Sequence, residues 1–419
     1  MNRTIVYIGL LLCFLPLPAL GWDWISDSGQ AWMKFHPATY LFAIGAMIGL
    51  SSSRMRYWSL LLSWTYGPFA IMTLVFIIRA ILIARASSDP TGAVGIAITN
   101  FLTPILLLVA AAGLTAQDWR RMGGLLRILL IINSIIALVE SVLQISFFFP
   151  QESRVFRAGG LIGHPLPSAL VTSCMIVYLL TANNRRSSLA TALPEVVLHA
   201  AALFAFGGRT GLVLVPLVVA INALLPAPGI PIVRRIGQRI AITAILASAL
   251  MATQLQIGPV QAALSRFDSD SGSSDTRYAA IEIAKDLPAN DFLLGVTADK
   301  RDHLMLKYDT TITIENPWVA LILIFGAILV IPMSASLITL LFGQARPLDR
   351  SASMMVIYFL IAASGYVSFG SKSLSIVQLL LMISALCQNQ ATAPAFAAED
   401  EDASPITEPA QKLAIPRAM

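Results

Sequence analysis

Apolar runs long enough to cross a bilayer recur along almost the whole chain, separated by connections too short to fold alone. A helical crossing needs about 20 residues at most tilts. About twelve runs can be read, near 4–20, 38–53, 58–83, 93–113, 124–149, 166–182, 191–206, 210–226, 236–255, 317–343, 350–368 and 371–387. Backbone amides and carbonyls in hydrocarbon must be satisfied within the chain, so each run is expected to be a helix. The expected fold class is an all-α polytopic membrane protein with about 12 transmembrane helices. Composition agrees: 57% of residues are hydrophobic and 12% are charged, outside the range of ordinary soluble domains. The pattern is interrupted once, by a long polar stretch at 256–316 that offers a working surface on one side of the bilayer.

Basic residues assign the sides. Arg54 and Arg56, Arg120 and Arg121, Arg185 and Arg186, Arg234, Arg235 and Arg239, and Arg346 and Arg350 fall in every second loop. The positive-inside rule makes those loops and both termini cytoplasmic, and turns the other loops, 256–316 included, outward. Arg79 and Arg85 run against the rule, because the helix that carries them ends outside. The net charge of +5 therefore reports membrane topology, and no nucleic-acid partner is expected.

The first run, Ile5 to Leu20 after Met1-Asn2-Arg3, has the outline of a signal peptide with a weak cleavage site at Ala19-Leu20-Gly21. An uncleaved first helix is the expectation, since a polytopic protein needs no removable signal. Cys13, Cys174 and Cys387 all lie in apolar runs and form no disulfide framework. No fixed-period repeat and no separate soluble domain is evident. The tail 388–419 is rich in Ala and Pro, carries Glu399-Asp400-Glu401-Asp402, and is expected to be a disordered cytoplasmic segment.

Arginines on the outward side set up the functional argument. Arg209 follows Gly207-Gly208 and precedes Thr210 at the start of an inward-running helix. A helix N-terminus is partially positive, so an arginine there is unfavourable unless an anion joins it. With an anion bound, free amides, dipole and guanidinium act together. Gly207 and Gly208 let a bulky group approach the backbone, and Thr210 adds a hydroxyl. The plain alternative is an interfacial arginine reaching for water. Arg157-Ala158-Gly159-Gly160-Leu161-Ile162-Gly163-His164-Pro165 repeats the arrangement, with Pro165 suited to a first helical turn and His164 able to donate to a phosphate or to cap the helix. Its plain alternative is a flexible connector.

Within the long loop, Ser274-Asp275-Thr276-Arg277-Tyr278 is expected to open a short helix that Pro288 closes, with Ser274 or Asp275 as N-cap. Tyr278, Ile281, Ala284 and Leu287 then share one face, which rests on the membrane surface or on other helices. Arg277 falls in the first turn and wants an anion, unless Asp275 satisfies it. Asp268-Ser269-Asp270-Ser271-Gly272 fails as a calcium loop, because its glycine comes one position early and no glutamate stands at the twelfth. No metal and no cofactor is expected. Glu315-Asn316-Pro317-Trp318 closes the loop, and a carboxylate beside a low-dielectric surface can serve as a general base. His303 is the competing base, without a motif around it, and an exposed charge is the plain reading of Glu315.

Taken together, Arg157 to Pro165, Gly207 to Gly211, Ser274 to Arg277 with its helix, and Glu315-Asn316 resemble the O-antigen ligase and polysaccharide polymerase superfamily of bacterial envelope proteins. The similarity covers roughly 150–345. It divides the chain into N-terminal membrane helices (1–149), a ligase- or polymerase-like core with the loop 256–316 (150–345), C-terminal helices (346–387) and the tail (388–419). The resemblance implies a metal-independent GT-C-type glycosyltransferase of the bacterial inner membrane, working at the periplasmic face. It implies a substrate carried on undecaprenyl diphosphate, and other polysaccharide assembly proteins as further partners beside the lipid bilayer. Carried over to this chain, Arg157, Arg209 and Arg277 would hold the donor diphosphate with help from Gly208, Thr210 and His164. Arg209 and Arg277 would stabilise the charge that grows as the glycosyl bond breaks, and Glu315 would accept the proton of the attacking hydroxyl. Ligases of this superfamily carry a histidine where this chain has Glu315, which favours polymerisation of exopolysaccharide or O-antigen repeats over transfer of glycan to a lipid A core. A transporter or lipid-oligosaccharide flippase is the alternative of another class. Its disadvantage is that the long loop follows the ninth run and faces out, and that Ser51-Ser52-Ser53-Arg54-Met55-Arg56 lacks the Gly and Asp pattern of the major facilitator group.

Overall fold

The computed structural model describes residues 2–22, 24, 31–52, 63–86, 92–148, 156–182, 189–224, 237, 273–308, 314, 316–365 and 368–387, and all regular secondary structure among them is helical. In order the helices are α1 (Asn2–Cys13), α2 (Pro37–Ser52), α3 (Gly67–Ala86), α4 (Gly92–Ala111), α5 (Ala116–Leu143), α6 (Pro165–Thr181), α7 (Leu189–Phe206) and α8 (Arg209–Leu224). They continue as α9 (Ser273–Asp286), α10 (Ala289–Leu294), α11 (Ala298–Lys307), α12 (Pro317–Phe325), α13 (Ala327–Ala345), α14 (Arg350–Ala363) and α15 (Ser375–Cys387). Four of them, α3, α4, α5 and α13, are long and apolar enough to cross a membrane. Shorter apolar helices of 10–17 residues lie within α1, α2, α6, α7, α8, α14 and α15. The chain has the character of a helical membrane protein, without twelve full-length crossings among the described residues. The run near 4–20 is α-helical only to Cys13, that near 317–343 is interrupted, and that at 236–255 lies, but for residue 237, outside the described residues, as do Arg54, Arg56, Arg185, Arg186, Arg234, Arg235, Arg239 and the tail.

Local chemistry explains where helices begin and break. Thr115 and Asp118 form a capping box at the start of α5: each side chain accepts the other's backbone N–H. Asn316 Oδ1 accepts from the amides of Trp318 and Val319 at 3.0 and 3.2 Å, with Pro317 in the first turn of α12. At Gly326 the backbone takes φ +82°, so one apolar run becomes two helices. A side chain there would collide with the Leu293 carbonyl. A π-turn at Ala97–Leu102 inside α4 projects Asn100, which donates to the carbonyls of Phe369 and Ser371 and accepts from the Ser373 amide at 2.8 Å. Such bulges release one residue from the helical register, and here the released residue ties α4 to the strap leading into α15.

α15 is the hub. Every residue from Ser375 to Cys387 is buried, and the helix packs against α4, α5, α6, α13 and α14. Its few polar groups are matched, as Gln378 Nε2 to the Cys13 carbonyl (2.8 Å) and Ser384 Oγ to Gln344 Nε2 (3.2 Å). Polar contacts mark the two ends of the bundle. At one end Arg3 pairs with Asp118 at 2.8 Å, and Tyr66 bonds Gln344. At the other, Ala158 bonds Ala205, Arg79 bonds the Leu294 carbonyl, and Asn100 holds its strap.

Helices α9, α10 and α11 form a small unit over α12. Its core is Ala280, Ile283, Leu287, Ile314, Val319, Ala320 and Leu323. Of the expected stripe, Leu287 and the half-buried Ala284 face this core, Tyr278 and Ile281 face away from it, and Ala280 and Ile283 complete it. Helix α9 begins at Ser273, so Ser274 and Asp275 sit inside its first turn rather than at the cap, and it ends at Asp286, two residues before Pro288, which stands at the N-cap of α10.

Candidate functional site

Two helix N-termini lie side by side at the end of the bundle opposite the Arg3–Asp118 pair. Helix α6 starts at Pro165 and α8 at Arg209, and the start of α8 packs on the second and third turns of α6: a Cβ on Gly208 would come within 2.9 Å of Ala169 Cβ, and one on Gly211 close to Ser173 Oγ. The loop before α6 is tied to the loop before α8 by the Ala158 amide, which donates to the Ala205 carbonyl at 3.0 Å. The segments that carry Arg157 and Arg209 are therefore brought together, and both arginines are partly buried. Helix N-termini concentrate positive potential, although in the first turn of α6 Pro165 and Pro167 have no N–H and the Leu166 and Ser168 amides already bond His164. Two such termini beside two guanidinium-bearing segments make a place where an anion can bind.

The Arg157 loop is shaped from beneath by a carboxylate. Glu140, fully buried near the end of α5, accepts from the amides of Gly159 and Gly160 through Oε2 and of Phe147 through Oε1, each at 2.8 Å. Asn133, two turns earlier, accepts from the Ile162 amide at 3.3 Å and donates to Thr172 Oγ1. Ser168 Oγ closes the ring by donating to the Gly159 carbonyl at 2.7 Å. Gly160 has φ +64° and presses against Asn133, a position that a side chain could not share. Glu140 and Asn133 are absent from the sequence expectations because they hide inside an apolar run. A carboxylate inside such a run is itself the signal that could have found them.

His164 is the N-cap of α6: its Nδ1 accepts from the Leu166 amide at 3.3 Å. That bond puts the imidazole proton on Nε2, which leaves one donor for a ligand. The ring is open to solvent on one side, yet partial desolvation, and then the nearby Arg157 guanidinium, hold its pKa below the usual histidine value. Gly208 is buried against α6, and Gly207 takes φ +66°; turn geometry and close helix approach each give this pair a cause of its own. Thr210 is half-buried in the first turn of α8.

The long loop is placed differently. Arg277 lies in the first turns of α9, which packs on α12, and its side chain is outside what is described, as are Glu315 and the Asp268–Gly272 segment. His303 is exposed on α11. Between α5 and α7 a second polar group is buried that no motif announces. Arg127 Nε donates to Glu195 at 2.6 Å, His199 Nε2 stands 3.6 Å from the other Glu195 oxygen, and Ser134 Oγ is 2.8 Å from His199 Nδ1. Ser134 and His199 are sealed from solvent, while the Arg127 side chain is 48% exposed, and the group joins α5 to α7. Among the described residues, no three His, Cys, Asp or Glu side chains are grouped as metal ligands would be. No protein-family model and no curated protein matches the chain.

Proposed function

We propose that the protein transfers glycosyl groups from an undecaprenyl-diphosphate-linked oligosaccharide at the periplasmic face of the bacterial inner membrane, polymerising exopolysaccharide or O-antigen repeats. The observation that carries this reading is the adjacency of the α6 and α8 N-termini, with Arg157, His164 and Arg209 at their mouths. A diphosphate that joins sugar to lipid carries two negative charges and gains a third as the glycosyl bond breaks, and guanidinium groups, the α8 N-terminus and the His164 Nε2–H match it. In the proposed reaction Arg157 and Arg209, with Arg277 from the loop, grip the diphosphate. The glycosyl bond breaks toward the lipid diphosphate, whose growing charge the arginines stabilise. Glu315, or His303 in its stead, takes the proton of the attacking hydroxyl. The GT-C-type bundle of about twelve crossings, with cytoplasmic termini, belongs to the same proposal.

Arg209→Ala tests it. The expected outcome is loss of polymer with the protein still in the membrane at wild-type abundance; long-chain product from that variant would refute the assignment. Glycan analysis of a deletion strain separates the reactions on offer. Single repeats accumulate if polymerisation is lost, and polymer stays on the lipid diphosphate if ligation is lost.

A further inference from the structure

Arg79, the basic residue that breaks the topology rule, has a partner that the sequence does not suggest. Its guanidinium donates to the Leu294 carbonyl at 2.7 Å, the last residue of α10. A helix C-terminus carries partial negative charge and unused carbonyls, which a cation caps well. Arg79 lies seven residues before the end of α3 at Ala86, about 10 Å down the helix at about 1.5 Å per residue.

A second set of contacts gives the same depth. The Gly295 and Gly326 backbones meet where α12 breaks into α13, and the Val296 amide donates to the Leu323 carbonyl at 2.7 Å. Next to that break, Phe325 stacks on Phe76 with ring centroids 4.5 Å apart. Phe76 is ten residues from Ala86, about 15 Å down α3. Both routes put the end of α10 well below the outer end of a helix long and apolar enough to span a bilayer.

At this level Leu293 and Leu294 are 45% and 56% exposed, continuing the exposed face of Ile78, Ile81 and Leu82 on α3. We infer that α10 dips into the membrane: Leu293 and Leu294 rest among the lipid acyl chains of the leaflet at that end, and Arg79 holds the segment there. Non-helical backbone survives at such depth only when the protein satisfies it, and the Arg79–Leu294, Gly295–Asp291 and Val296–Leu323 bonds do so here. Asp291 and Lys300 are paired with each other. The dip fastens the α9–α11 unit to the bilayer. It depends on α3 spanning the membrane and not on the glycosyl-transfer reading.

Spin labels on the full chain in phospholipid proteoliposomes test it, since the three native cysteines are buried. Labels at Leu294→Cys, at Leu82→Cys for the lipid face and at Lys285→Cys for water are compared for collision with oxygen and with a water-soluble nickel chelate. Leu294→Cys is expected to match Leu82→Cys, favouring oxygen several-fold. A match to Lys285→Cys would place α10 in water and overturn the inference. Adding Arg79→Gln should shift the Leu294 label toward the chelate while the Leu82 label stays in lipid. An unmoved Leu294 label would remove Arg79 from its holding role.

Discussion

His164 shows how one residue serves both the fold and a ligand. Capping α6 needs an unprotonated Nδ1, because a doubly protonated ring has no lone pair for the Leu166 amide. Desolvation and the Arg157 charge hold the folded-state pKa below the ordinary value, so the neutral ring is favoured by folding. A group whose pKa falls on folding contributes stability that is present above its unfolded pKa, about 6.5, and is lost as pH falls through that value toward the folded one. Thermal unfolding in detergent should thus show a stability loss between about pH 7 and pH 5 that is reduced in His164→Asn, whose cap does not titrate. Identical pH profiles for the two proteins would show that His164 does not sense the change. At neutral pH His164→Ala should cost about 1 kcal/mol, the usual worth of a cap.

At the scale of elements, the Arg157 loop is held mainly by its neighbours, and Glu140 is the main support. Removing that carboxylate leaves the amides of Phe147, Gly159 and Gly160 without their acceptor, each a loss of about 1–3 kcal/mol when buried. Glu140→Ala should therefore speed hydrogen exchange at Gly159 and Gly160 by at least about tenfold, with Glu140→Gln between, since about 1.4 kcal/mol corresponds to a factor of ten. Exchange unchanged in Glu140→Ala would show that the Ala158–Ala205 bond and Asn133 suffice. The same element marks the limit of sequence reading. Pro165, the glycines and the arginines announced the turn and the helix that follows, because their roles are local. Glu140, Asn133 and Ser168 act across 7 to 39 residues, and their own neighbourhoods do not report which groups they meet. The break at Gly326 is hidden for a related reason. A lone glycine in an apolar run is compatible with an unbroken helix, and only the α10 backbone arriving beside it dictates φ +82°.

At the scale of the molecule, alternating polarity made the helices and their order legible, while the hub could not be read. Nothing in Ser375–Cys387 distinguishes a helix buried on every side from one that faces lipid, since both are apolar. The arginine pattern gives sidedness as an expectation, and the contacts give it a physical test. Arg120 and Arg346 are exposed at the end where α1 meets α5 through Arg3 and Asp118; Asp299 and Asp302 are exposed on the α9–α11 unit at the other. Moving either end across the bilayer carries Arg157 and Arg209 with it, because the Ala158–Ala205 bond and the Arg79–Leu294 bond mark the same end of the bundle. A membrane-impermeant maleimide applied to intact cells should label Asp299→Cys and Asp302→Cys and spare Arg120→Cys and Arg346→Cys until the membrane is opened. The reverse pattern would turn the two helix N-termini toward the cytoplasm, where a lipid-linked donor displayed at the periplasmic face could not reach them, and the glycosyl-transfer proposal would fall with it.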